Sequence, residues 1–289
     1  MLNLIRRYKL LRIAGLLSPG FLWLLLFFNL PLVIVLYISF VERGRAGGIK
    51  IPPVFTANNY LQFFDSLYLG IFWHSVRIAL VVTIACIVLG YPLAYYISRR
   101  DARRRDALLL LVIIPFWTNF LVRTYALKSA LATDGLINSL LVSSRLVQQP
   151  LDMLFNEFAV VLGLWYGYIP FAILPMYASI EKFDYSLMEA AADLGADMRR
   201  AFLRVMLPMT MPGVVAAFVL VFVPVVGAFI TPDLLGGGKV EMIGTLINRQ
   251  FGSSRNWPFG SAISFVMMLL VLAGVIYYLR SGSKEERAL

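Results

Sequence analysis

The chain has few groups with which to do covalent chemistry. Of its 289 residues, one is cysteine (Cys86) and one is histidine (His74). A single cysteine excludes an intrachain disulfide and a paired-thiolate metal site, and one histidine argues against a metal centre. Charge is scarce too. Asp, Glu, Lys and Arg make up 15% of the residues, where a soluble domain carries about 25%. No acid falls inside any long apolar run, so a buried acid–base pair is hard to assemble. The intramembrane carboxylates and histidines that serve ion-coupled carriers are missing as well. There is no HExxH, GxSxG or GxxxxGK(S/T) stretch. Without the last, the chain cannot hold ATP in a phosphate loop. Uphill transport would then draw on an ion gradient or on a separate ATPase.

What is abundant is apolar surface, at 60% of residues. A water-soluble fold of this size cannot hide so much, so lipid is the main solvent. A helical span needs about 20 mostly apolar residues. Six stretches qualify, near residues 16–40, 72–98, 107–127, 158–180, 211–231 and 259–279. Backbone groups in lipid must bond within their own segment, which makes these helices and the chain an all-α membrane protein. Pro19, Pro212 and Pro258 sit near helix starts, where a missing N–H costs little. Pro31, Pro115, Pro170, Pro175 and Pro224 are interior and predict kinks. Arg6, Arg7, Lys9 and Arg12 before the first run resemble a signal peptide, but the run is too long and no small-x-small cleavage site follows. It is expected to be a retained span, and residues 1–289 one membrane domain.

The formal net charge of +10 would suggest nucleic acid in a soluble protein. Here the basic residues cluster by side instead. The N-terminal segment, the loop at 98–106, the loop at 181–210 and the tail hold sixteen Lys and Arg; the three alternate loops hold eight. The denser side is expected to be cytoplasmic, with both termini on it. His74 and Arg77 read as interfacial, and Cys86 as packing. On the sparser side, Thr56 to Phe64 reads as a capped amphipathic helix. Asp134-Gly135 signals a turn before a short apolar stretch. Gly236-Gly237-Gly238 reads as flexible and as allowing close backbone approach.

The most polar segment between two spans is residues 189–208, EAAADLGADMRRAFLRVMLP. Ser186 is a candidate N-cap with Glu189 three positions on, a capping-box pattern. Gly195 should end that helix. A second helix over 196–206 would turn Phe202, Val205 and Met206 to the membrane and Arg199, Arg200 and Arg204 outward. The order is Glu189-Ala190-Ala191, three residues, Gly195, nine residues, Val205, one residue, Leu207-Pro208. This resembles the EAA signature of ABC importer permeases. VIIPFWTNFLVRTYA (112–126), LPMYASIEKFDYSLMEAAADLGA (174–196), PDLLGGGKVEMIG (232–244) and NWPFGSAIS (256–264) resemble the B-type permease of spermidine/putrescine importers.

That resemblance implies a type I ABC importer permease fold with six transmembrane helices and a cytoplasmic coupling helix between spans 4 and 5. It implies a non-catalytic subunit of a bacterial inner-membrane transporter. Its partners would be a C-type sister permease, a homodimeric ATPase and a periplasmic polyamine-binding protein. It needs neither cofactor nor nucleic acid. Glu189, Ala190, Ala191, Asp193, Leu194, Gly195, Leu207 and Pro208 would couple to the ATPase. Trp117, Thr118, Asn119, Arg123 and Tyr125, with Tyr166 and Tyr168, are candidates for the substrate path, since aromatic faces and carbonyls freed at kinks can hold cations. Helix packing or an interfacial belt is the alternative for these aromatics. Arg123 would repel a cation unless paired, with Asp134, Asp233 and Glu241, all expected outside, as candidate partners, or would snorkel to headgroups. An opine, an amino acid or a quaternary amine are alternative cargoes. A stand-alone gradient-driven carrier is the alternative from another class.

Overall fold

The computed structural model describes residues 16–285. Arg6, Arg7, Lys9, Arg12 and Arg287, on which part of the orientation argument rests, lie outside the described residues. Two isolated bridges, Val41 to Phe55 and Arg43 to Ile49, are the only extended pairing among the described residues. The rest of the regular structure is helix.

The chain forms two compact units. The first takes residues up to Asp65 and from Ile247 onward. Its long helices are α1 (Leu16–Ser39) and a final one, Trp257–Glu285, which pack together. Pro31 cannot donate its backbone N–H, and α1 widens just before it into a π stretch, Leu25–Asn29. A short helix α2 (Asn58–Phe63) is pinned rather than floating. The Asn59 amide, buried, donates to the carbonyls of Ser39 and Val41 at 2.8 and 3.0 Å. Thr56 Oγ1 accepts from Asn58 N–H.

The second unit, Ser66–Leu246, has three long helices at its centre: α3 (Ser66–Ser98), a helix Glu157–Glu181 and a helix Met198–Val226. Ile78, Val82, Cys86 and Ala94 of the first meet Leu164, Ile173, Met176 and Ile180 of the second and Ala217, Val221 and Val225 of the third, all buried. In the chain, α3 is followed by α4 (Ala102–Ile113), a 3-10 turn (Ile114–Trp117), α5 (Phe120–Leu131) and α6 (Leu136–Ser143). In order follow α7 (Glu157–Glu181), α8 (Ser186–Asp193), α9 (Met198–Val226), α10 (Ile230–Gly236), α11 (Ile243–Phe251) and α12 (Trp257–Glu285).

Among the described residues five helices are long and apolar enough to cross a membrane, and a further apolar pair, Ala102–Trp117 with Phe120–Ser143, is bent by 91° at the break between its two helices. The kink expected at Pro115 within the 107–127 stretch is present, as a sharp break between two helices. Pro115 starts the tight turn, Thr118 swings out to φ −82° and ψ 143°, and the Asn119 side chain accepts from Leu121 N–H to start a new helix. By contrast, α7 runs on through Pro170 and Pro175, and α9 through Pro212 and Pro224.

Two expectations change. The glycines at 236–238 do allow close approach, since a Cβ on Gly236 or Gly237 would meet Val240 or Phe155, but they are part of a helix end. They close α10, with Gly237 left-handed at φ 58°, and α10 packs on α7 where Gly163 lets it approach. A Cβ on Gly163 would collide with Leu235 and Thr231. The stretch 196–206 is also not a separate helix. From Met198 on it is the first part of α9, joined through a π turn at Phe202–Met206. Pro208 lacks a donor for the normal ladder, and Leu207 N–H reaches back to the Phe202 carbonyl. Met206 is buried within the protein and Phe202 and Val205 are half-buried, while Arg199, Arg200 and Arg204 are exposed.

Candidate functional site

The α8–α9 elbow is built by its caps. Ser186 is not the N-cap, and the capping-box expectation is corrected. Asp184 accepts from Ser186 N–H at 3.0 Å, and that bond to the backbone, with a further one to the Ser186 side chain, holds the Asp184 carboxyl below its ordinary value. At the other end Gly195 takes φ +84°. Its N–H bonds to the Ala192 carbonyl at 2.8 Å, and Ala196 N–H bonds to the Ala191 carbonyl at 3.0 Å. This is the Schellman pairing, which needs a left-handed residue at that position. Asp197 then accepts from Arg200 N–H at 2.7 Å and starts α9.

The result is a short helix that presents its end to solvent. Leu194 is 90% exposed, and Glu189, Ala190 and Asp193 are exposed as well, with Ala191 half-buried. Leu207 and Pro208 sit in the π-turn junction, Leu207 half-buried and Pro208 exposed. α8 packs back on that junction. A cleft of about 310 Å³ opens in the elbow, where Met188, Glu189, Ala192 and Ala196 face Tyr95 and Arg99 of α3's end. The Arg99 guanidinium stacks 4.3 Å from the Tyr185 ring centre, and Arg105 bonds Glu181 at 2.8 Å. The first contact joins the elbow to the end of α3, and the second ties α4 to the α7 terminus.

The path candidates do not form one constellation. Trp117 is 79% exposed, Thr118 donates to the Pro115 carbonyl, and Asn119 is consumed as a cap. Arg123 and Tyr166 share a small cleft with Phe120, Thr124, Leu127, Gly163 and Gly167. Tyr168 packs on Phe171, whose other neighbour is Phe116. Tyr125 lines a different, larger cavity near the end of α5. Arg123 pairs with none of Asp134, Asp233 or Glu241. Its guanidinium lies 5.2 and 5.8 Å from the Phe116 and Phe120 ring centres, and its Nε and Nη1 have no hydrogen-bond partner.

His74 and Arg77 turn out to be tied in. The Glu157 carboxylate accepts from Arg77 at 2.6 Å and lies 3.4 Å from His74 Nε2, while His74 Nδ1 lies 3.1 Å from the Glu241 carbonyl. Sequence reading missed Glu157 because it borders its span and nothing local announces a partner 80 residues earlier. Ser75 was missed for the same reason. It accepts from Ile243 N–H at 2.7 Å and fixes the start of α11 on α3.

Five long apolar helices and one bent apolar pair among the described residues, with a polar helical elbow between two of them, are the architecture of a multi-pass membrane protein. Residues 86–281 match the model of the binding-protein-dependent transport system inner membrane component, and the chain belongs to that family. It is 42% identical over 267 residues to the spermidine/putrescine transport system permease protein PotB of Haemophilus influenzae, covering 92% of this chain and 93% of that one. It is 42% identical over 260 residues to PotB of Escherichia coli, covering 90% and 94%. The inner membrane ABC transporter permease protein YdcU of Escherichia coli is 30% identical over 252 residues, covering 81% and 79%. Among solved structures, a bacterial ABC transporter that imports the acidic polysaccharide alginate matches with a TM-score of 0.73 at 17% identity, covering 96% of this chain and 99% of that one. That likeness establishes the fold. The chain is thus a multi-pass inner-membrane ABC importer permease, a transport subunit and not an enzyme.

Proposed function

We propose that this chain is the B-type permease of an ATP-driven polyamine importer, forming half of a pore for spermidine and putrescine. The observation that carries the cargo is the 42% identity, over at least 90% of the chain, to proteins named for that transport. The whole chain acts as one membrane domain, with both termini and the α8 elbow in the cytoplasm. Its partners are a C-type sister permease, two copies of an ATPase and a periplasmic polyamine-binding protein.

In this reading α8 enters a cleft on the ATPase. Small side chains at Ala190 and Ala191 keep the helix narrow, Glu189 and Asp193 supply charge, and Leu194 offers an apolar tip. Gly195 sets the angle at which α8 leaves, and Leu207-Pro208 joins the elbow to the spanning helix. A push on α8 is transmitted along α7 and α9, which share the buried core. The segment moves force and does no chemistry. Trp117, Thr118, Asn119, Tyr125, Tyr166 and Tyr168 are proposed to face the cation on its way, with ring faces and freed carbonyls as weak holding groups. Arg123, stacked on ring faces with no carboxylate, borders this path.

The test is reconstitution of the full importer. ATP- and binding-protein-dependent uptake of labelled spermidine is expected, and no uptake of either polyamine would refute the cargo in favour of an opine, amino acid or quaternary amine. Glu189→Arg and Gly195→Arg should abolish ATPase association while leaving membrane insertion intact; normal uptake in both would sink the coupling role. Flux through this chain alone, without any ATPase, would support a gradient-driven carrier.

A further inference from the structure

We propose that the cavity at the end of α5 is a capture site for linear polyammonium ions, with Asp134 and Asp152 as its anionic groups and Tyr125 and Phe155 as its aromatic walls. The choice of ligand rests on the polyamine reading above; the site itself rests on its geometry.

The cavity measures about 510 Å³ and is also lined by Lys128, Thr133 and Leu154, a volume within the range of small-molecule sites. Its walls come from three separate stretches: the last turns of α5, the turn before α6, and the extended segment before α7. Both carboxylates are exposed, and neither has an ion pair or a side-chain hydrogen bond among the described residues. The Phe155 ring already receives an ammonium group, for Lys128 Nζ lies 5.6 Å from its centre. An in-chain cation on that face demonstrates the chemistry that an incoming one would use.

The site is held in shape. Asn138, buried, donates to the carbonyls of Ala132 and Leu151 at 3.1 and 3.0 Å and accepts from Leu151 N–H at 2.8 Å. One side chain thereby ties together the two stretches that carry the aspartates. Phe155 takes φ +58°, a backbone conformation that bulky residues rarely adopt, and its N–H donates to the Leu235 carbonyl at 2.9 Å. The ring is thus fixed by its own backbone and by α10.

The ligand class follows from the groups present. Among the described residues no three His, Cys, Asp or Glu gather to hold a metal, and aromatic faces suit an alkylammonium chain. Two carboxylates against one lysine leave the wall with one net negative charge. That attracts a polycation without trapping it, and Lys128 serves as a tethered competitor for the aromatic face. The cavity adjoins the Glu157 end of α7, whose 25 residues span about 37 Å to the end that meets α8. Capture and coupling therefore lie at opposite ends of one core helix.

The test is equilibrium dialysis of labelled spermidine against the complete importer in lipid nanodiscs, at low ionic strength and without binding protein. Saturable binding is expected. Asp134→Asn with Asp152→Asn should weaken it about tenfold, the strength of two exposed ion-pair contacts. Lys128→Met should tighten it about threefold by removing the competing ammonium. The unfolding midpoint of each variant checks the fold. Absent binding in the natural importer, or a double variant that binds as tightly, would overturn the site. Uptake separates this from the cargo reading. Aspartate-dependent binding with no spermidine uptake refutes the cargo and leaves the site; uptake without cavity binding does the reverse.

Discussion

Replacing Gly195 by alanine isolates the elbow's conformational demand from its packing. Gly195 sits at φ +84°, and a Cβ built there meets nothing within 4 Å. The penalty is therefore purely the left-handed backbone, about 1–2 kcal/mol for an ordinary residue. Part of it is offset by the lower entropy of the unfolded alanine chain, about 0.4–1 kcal/mol. A net cost of about 1 kcal/mol corresponds to roughly a fivefold shift in a local opening equilibrium. The opening unit is the α8 terminus, where the bonds Gly195 to Ala192 and Ala196 to Ala191 would break together. Hydrogen exchange in the nanodisc importer reads this directly. In Gly195→Ala the amide of Ala196 should exchange about fivefold faster, with weaker stimulation of ATP hydrolysis by binding protein. Asn tolerates the left-handed region better than Ala, so Gly195→Asn should fall between the two. Unchanged exchange at Ala196 in the alanine variant, or an asparagine variant as perturbed as alanine, would refute the argument that the elbow's angle depends on this one backbone conformation.

Gly163→Val places carbon against Leu235 and Thr231 and should lower stability by about 1–3 kcal/mol, read as a reduced unfolding midpoint; a neutral result would mean that α10 can retreat from α7. Asn138→Ala removes the bonds that tie residue 132 to residue 151 and should cost about 1–3 kcal/mol, with proteolysis newly appearing between α5 and α7. The Asp184 carboxyl is held low by its Ser186 bonds, so its contribution to the start of α8 is present above the ordinary aspartate range near about 4 and is lost as pH falls through the lowered folded value. Ser186 amide exchange, corrected for its intrinsic pH dependence, should thus stay protected at neutral pH and lose protection only on strong acidification, while Asp184→Ala loses it at neutral pH.

Much of the membrane organisation was legible in the residues. Apolar runs long enough to span are rare by chance and must be helical in lipid, and five of the six expected stretches correspond to single long helices. The elbow was legible because Gly195 and Pro208 leave the backbone few choices: one permits a left-handed cap, and the other removes a donor. The break in the third apolar stretch was only half legible. Pro115 is visible as a kink, but a 91° turn also needs Thr118 extended and Asn119 capping, and neither residue type demands that. The π junction at Phe202–Met206 was not legible, because a one-residue widening leaves the side-chain pattern almost unchanged.

What the sequence by itself determined is the solvent, the helical state and the class of machine: apolar length, the absence of a nucleotide loop and a fixed spacing from Glu189 to Pro208 are all local properties. What only the tertiary structure decided is which distant groups meet. Glu157 finding Arg77, Ser75 receiving Ile243, Arg123 stacking on rings with no acid beside it, and Asp134 and Asp152 facing one cavity all join residues whose separation in the chain carries no periodic signal. Such pairings arise when close-packed helices bring their termini and connecting segments together, and the geometry of that packing is a property of the whole core, not of any stretch within it.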